Sequence, residues 1–442
     1  MPRQMHLGLF LLATGSHVAG WRMPGAVTSF EDLPALCQIA RTAEAACFDM
    51  IFLGDNLYAH PDAHPSYTVR LEPLTMLTAM AMVTSRIGLG ATMPTTYNEP
   101  YHVARIFASL DHISGGRAAW NAVTGASALA GPNFGRQHPA HADRYAIAEE
   151  FVDVVRGLWD CWEDGALVAD RESGRYLDPA RLHALNHKGA HFTVQGPMNI
   201  TRSPQGQPVI LQAGGSEAGL DFAARTADVV FSVVQDFEEA KAQYERLKSR
   251  LSKFGRGTEE VAVLPGVMPV VGRTDAEARE KLAQLQGFVD SSNARGLLRD
   301  RLGIDVTDYD LDAPMPDLAL PDGGHGFAST VLNKAKREGL TLRDVYNLLG
   351  AARGHWVLCG SAETVADTLQ AWFEGGAADG FNVMPSHFHG GLEDFAELVV
   401  PELQRRGLFR TEYAGPMLRD HLGLGRPERR HCPAARDKSA AE

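Results

Sequence analysis

Apolar residues along this chain recur with two alternating spacings. Apolar runs at 5–12, 50–53, 87–92, 117–123, 208–213, 229–233, 261–271 and 380–384 read as buried strands. Between them the period becomes helical. Leu36, Ile39, Ala43 and Ala46 line one face after Asp32, which caps a helix that has Pro34 in its first turn. A helix over 73–83 leads into the third run. Val103, Ile106, Phe107, Leu110 and Ile113 follow Pro100 at helical spacing, and Ser114-Gly115-Gly116 ends that helix. Phe151, Val155, Leu158, Trp159 and Trp162 define another helix over 144–162. Further helices are predicted over 216–226, 236–254, 361–375 and 392–407, and Thr274 with Glu277 forms a capping-box signature for one more.

Eight strands alternating with helices in one direction predict an α/β protein, a (β/α)₈ TIM barrel with insertions. A doubly wound open sheet is the runner-up. No G-x-G-x-x-G follows the first strand, and no acidic residue stands in the place that binds a ribose. The stretches 163–207 and 291–353 break the alternation and are read as insertions. The first is turn-rich, with a hairpin around 190–196, and the second is helical at 329–339 and 342–349. One domain over 1–425 is expected, followed by a disordered tail at 426–442 that is rich in Arg, Pro and Ala.

Composition narrows the partners. The chain has 442 residues, 45% hydrophobic and 22% charged, with a formal net charge of -12, which argues against nucleic acid and anionic membrane surfaces. Cys37, Cys47, Cys161, Cys359 and Cys432 are scattered and never form a C-x-x-C pair, as in a reduced compartment. The apolar start lacks a basic n-region, and no run approaches the ~20 apolar residues that span a bilayer. A cytoplasmic protein without membrane contact is expected.

In a parallel α/β protein, ligands sit at the C-terminal ends of the strands. The polar residues predicted there are Asp55, Thr92, Thr95, Asn121, Thr124, Gly214, Gly215, Ser216 and Glu217. Gly214-Gly215-Ser216 exposes free amides at a helix start, which suits a phosphate and equally suits an ordinary capped turn. Asp55-Asn56 reads as a tight turn or as an acceptor over the barrel mouth. Asn121 lies in an otherwise apolar strand, so a neighbouring backbone or a ligand must satisfy its amide. His141 and Tyr145 stand four apart and face one side, which suits ligand binding or acid/base work. His138, His141, His387 and His389 lack the companions of a metal site, and no metal is expected. There is no G-x-S-x-G, no Walker loop and no H-E-x-x-H. Donors and acceptors without a nucleophile and base suit a site that holds a reactive cofactor.

The stretch SRIGLGATMPTTYNEPYHVARIFASLDHISGGRAAWNAVTG, together with RYAIAEEFVDVVRGLWDCWEDGA, QAGGSEAGLDFAARTADVVFS and ADGFNVMP, resembles the luciferase-like flavin monooxygenases of the nitrilotriacetate, dibenzothiophene-sulfone and long-chain-alkane group. The resemblance covers about residues 5–425. It implies an insertion-bearing barrel that binds FMN as FMNH₂, supplied by a separate NAD(P)H:flavin reductase. One oxygen atom of O₂ would pass to a small organic substrate through a flavin C4a-peroxide. It places Asp55, Thr92, Thr95, Asn121 and Thr124 near the flavin ring, His141 and Tyr145 in the flavin pocket, and Gly215, Ser216 and Glu217 at the phosphate turn. It makes Asn121 and His141 the catalytic candidates, and it implies a homodimer or homotetramer. A deazaflavin-dependent dehydrogenase and a non-catalytic flavin-binding protein are the alternatives. Pro94, Gly125 and Gly215 depart from the family's usual hydroxyl residues, and each lost hydroxyl would loosen flavin contacts by ~0.5–1.5 kcal/mol. An acidic substrate would need basic groups, for which Arg22, Arg70 and Arg353 are candidates.

Overall fold

The eight apolar runs form a closed parallel barrel. In order around it stand His6–Phe10, Met50–Leu53, Gly88–Thr92, Ala118–Asn121, Val209–Gln212, Val229–Ser232, Ala262–Gly272 and Gly380–Val383, the last pairing with the first. The computed structural model describes residues 3–429 except 61–63, 126, 290–294, 296–297, 299–301, 303–305, 307 and 315–326, with only the backbone described at 327–330. The barrel strands are almost wholly buried, as expected when helices cover the outside and side chains fill the inside.

Several polar groups fix the register. Asp49 is fully buried, accepts the Leu7 amide at 2.7 Å and pairs with Arg410 at 2.5 Å. Arg117 turns its guanidinium under the third strand and donates to the carbonyls of Ala81, Thr84, Ile87 and Ser114. A Cβ at Gly8 would lie 2.8 Å from Asn382 Oδ1, so glycine lets the first and last strands close. The Asp32 side chain caps Leu33–Ala45, and Gly115 at φ 70° ends Pro100–Ser114.

One strand was not expected. Trp356–Ser361 pairs with the far half of Ala262–Gly272, and Val267 has Val383 on one side and Trp356 on the other. The new strand therefore extends the edge that Val229–Ser232 occupies further back. Only two of its six residues are fully buried, and its short apolar start, Trp356 to Cys359, stands directly after the second insertion and outside the eight-strand alternation.

Within the first insertion, the two-residue strands His187–Lys188 and Thr193–Val194 form the hairpin. Glu150 from the neighbouring helix pins it by accepting the amides of His191 and Phe192 at 2.9 and 2.8 Å. The second insertion contributes the helices Phe327–Glu338 and Leu342–Ala352, which share a small core of Leu298, Leu302, Val331, Leu342 and Val345 separate from the barrel's. Of the expected tail, residues from 430 onward lie outside the described residues. Arg426 bonds both oxygens of Asp164, and Arg429 bonds the Asp160 carbonyl. Among the described residues no helix is long and apolar enough to cross a membrane.

Candidate active site

Two adjoining cavities open at the C-terminal ends of the strands and share Ala213 and Phe231. The first, about 390 Å³, is lined by Asp55, Thr92, Asn121, Thr124, His141 and Tyr145. Phe10, Phe52, Tyr67 and Phe231 supply its aromatic walls, with ring centroids of Phe10 and Phe231 5.6 Å apart. The second, about 540 Å³, is lined by Gly214, Gly215 and Ser216, with Gln243 and Arg246 opposite.

Hydrogen-bonding capacity is left over in the first cavity. Asn121 ends the fourth strand and is 3% exposed. Its Nδ2 donates to Thr92 Oγ1 at 2.8 Å, while its Oδ1 is buried with no partner. Gln212 ends the next strand around the barrel, and its Oε1 is likewise buried and unpartnered. Arg144 donates from Nη1 to the Gly125 carbonyl at 2.5 Å and keeps a buried Nε without an acceptor. Buried polar atoms are nearly always paired, so three orphans around one cavity mark a surface made for a ligand. Asp55 lies 3.5 Å from Arg70, yet burial outweighs that charge and holds its carboxyl above the usual range.

At the second cavity the sequence builds a helix start. Ser216 caps Glu217–Thr226 by accepting the Gly219 amide at 3.1 Å, leaving the amides of Glu217 and Ala218 without intrahelical partners. A Cβ on Gly219 would stand 2.9 Å from Tyr145 Oη and one on Gly214 3.2 Å from it, so the glycines admit the tyrosine beside the turn. Tyr145 thus reaches from the first cavity to the second.

Of the residues expected at the site, the structure brings Asp55, Thr92, Asn121, Thr124, His141 and Tyr145 to one cavity and Gly215 and Ser216 to the other. Thr95 and Glu217 do not join them. Thr95 is buried, with its hydroxyl turned to the Val123 carbonyl at 3.4 Å. Glu217 points outward to Arg246 and Arg250, whose hydrogen bonds hold its carboxyl below the usual range. Tyr67, Arg144, Gln212 and Phe231 were missed. Gln212, as the last polar residue of an apolar strand, and Arg144, between His141 and Tyr145, carried a usable signal.

The luciferase-like monooxygenase family model matches residues 5–379 of the chain. The chain belongs to that family. The N-acetyl-S-(2-succino)cysteine monooxygenase of Bacillus subtilis (strain 168) is 44% identical over 97% of this chain and 99% of its own length. Nitrilotriacetate monooxygenase component A of Aminobacter aminovorans is 45% identical over 96% and 98%. A riboflavin lyase solved with modified FMN and riboflavin superposes with a TM-score of 0.85 at 31% identity, covering 98% of this chain and 99% of that one. As a luciferase-like barrel enzyme, the chain is a flavin-dependent monooxygenase. Its cavity fits the group. A flavin's polar ring edge needs donors and acceptors, and the orphans on Asn121, Gln212 and Arg144 are of both kinds.

Proposed function

We propose that this luciferase-like monooxygenase is the oxygenase component of a two-component system that takes FMNH₂ from a separate NAD(P)H:flavin reductase. The observation that carries the reading is the union of the two cavities: an aromatic chamber rimmed by unpartnered amides leads into a capped helix start. Ser216 and the amides after it hold the phosphate there, with the Tyr145 hydroxyl alongside. Asn121, Gln212 and Arg144 hold the polar edge of the ring, and Thr92 orients the Asn121 amide. Phe10, Phe52 and Phe231 keep water from one side. His141, at the rim, holds or moves a proton at its imidazole, and the two insertions shield the mouth. When bound, the reduced flavin supplies the electrons that activate O₂ for transfer of one oxygen atom to a small organic substrate. A homodimer or homotetramer is part of the same reading.

Oxygen uptake with FMN, NADH and an added flavin reductase tests it against a substrate panel. Uptake coupled to an oxygenated product only when reductase is present is the expected result. Turnover driven by NADH alone, or flavin binding with peroxide release for every panel member, would overturn it. His141→Ala is expected to bind FMN normally and turn over more slowly. An unchanged rate would remove the proton role.

A further inference from the structure

Helix Leu342–Ala352 ends on Arg353, whose φ of 54° places it in the left-handed region where glycine is the ordinary residue. Gly354 follows and lines the second cavity. The Arg353 guanidinium lies 4.1 Å from the ring centroid of Tyr67, which lines the first. Arg353 lines neither cavity itself but stands directly behind Tyr67, beside the residue that lines the second. Among the described residues no carboxylate pairs with it, and its Nε is buried without an acceptor.

A second cation, Arg70, lies 5.1 Å from the same ring centroid. Arg70 faces Asp55 at 3.5 Å and donates from Nη2 to the Gly54 carbonyl, while its Nε and Nη1 are buried without a hydrogen-bond acceptor. Burial above all, with the like charge of Arg353 among the lesser causes, holds its guanidinium below the usual range. Two guanidiniums, Arg70 and Arg353, stand over the Tyr67 ring, and among the described residues Asp55 is the carboxylate paired with one of them, Arg70. A non-glycine residue in a left-handed turn persists where its side chain has a use that offsets the strain. A guanidinium held by one aromatic face, with free N–H groups, is a ready partner for a carboxylate.

We propose that Arg353 selects the substrate: a small organic acid whose carboxylate docks on its guanidinium while the remainder lies against Tyr67 in the aromatic cavity. This rests on reading the cavity as an oxygenase site. Arg353 is assigned to substrate and not to flavin.

Equilibrium binding by calorimetry, with succinate, glutarate and tricarballylate as probes and their amides as neutral controls, tests this on the full chain. The acids are expected to bind saturably and the amides at least about tenfold more weakly, the loss expected of a charge-assisted contact. Arg353→Gln should bring acid affinity down to that of the amides. Arg353→Gly should do the same while unfolding no earlier than wild type, because glycine relieves the left-handed turn. Acids and amides binding alike, acid affinity unchanged in both variants, or no binding of any acid would each overturn the assignment. FMN affinity, read by flavin fluorescence quenching in the same samples, should stay within twofold in both variants. Failure of the wild type to quench FMN would instead sink the oxygenase reading and leave the acid-binding comparison standing.

Discussion

At the scale of single residues, the floor of the cavity turns on Asn121. Its amide donates to Thr92 and leaves a buried oxygen facing the chamber. Asn121→Leu removes that buried orphan but also takes the donor from the buried Thr92 hydroxyl, so stability should fall by no more than about 1–3 kcal/mol. On the proposed function the same change removes an acceptor from the flavin, and FMN affinity should fall about tenfold, read by fluorescence titration. A variant that loses stability but keeps its FMN affinity would show the amide to be structural. His17 makes a second prediction. Burial, helped by nearby His387, lowers its pKa from 6.5 to about 4, and its Nδ1 accepts the Ala19 amide at 3.1 Å. Between those pH values the unfolded chain binds a proton that the folded one refuses. Stability is therefore complete above about pH 6.5 and falls as the pH drops towards 4, by on the order of 3 kcal/mol. His17→Asn keeps an acceptor for the Ala19 amide, so denaturation midpoints between pH 4 and 7 should show a flatter profile than wild type.

At the scale of elements, the barrel strands were legible because a strand covered on both faces must be apolar throughout. Trp356–Ser361 was not, because its short apolar start abuts the second insertion and the strand pairs beyond the closing register, outside the eight-strand alternation. The same logic separates the site residues. Thr92, Asn121 and Gln212 close their strands, and their side chains meet the mouth. Thr95 and Glu217 are near those ends in sequence, but the turn geometry points one at a carbonyl and the other at two arginines. Tyr67 comes from the short helix Pro65–Thr68 and Arg353 from the end of an insertion far away in sequence, and only the folded chain stacks them. Where strand, turn and helix meet, Gly219 is a tight point. Alanine is the better helix former, yet its Cβ would lie 2.9 Å from Tyr145 Oη and 3.1 Å from the Gly214 carbonyl carbon. Gly219→Ala should push Tyr145 from the turn and weaken FMN binding several-fold with little loss of helix. Equal FMN affinity in the two proteins would mean that Tyr145 does not serve the phosphate.

At the scale of the whole molecule, the chain has two cores with different work. The barrel core holds the strand ends that shape the cavities, while the second insertion packs around its own cluster of Leu298, Leu302, Val331, Leu342 and Val345. An element with its own small core can open without the barrel unfolding. The proposed function needs that division, since flavin reduced elsewhere would enter a chamber that is later closed to water. Leu342 is fully buried in the satellite cluster, and Leu342→Ala should cost about 2–5 kcal/mol there. If the insertion is a shield, hydrogen exchange should rise across Leu342–Ala352 while the barrel strands stay protected. FMN affinity should remain within about twofold, because no predicted flavin contact lies in that helix. Less of the oxygen consumed should then appear in product and more as peroxide, with NADH oxidation by the reductase unchanged. Faster exchange with full coupling would assign the insertion a packing role and leave water exclusion to the aromatic walls of Phe10, Phe52 and Phe231.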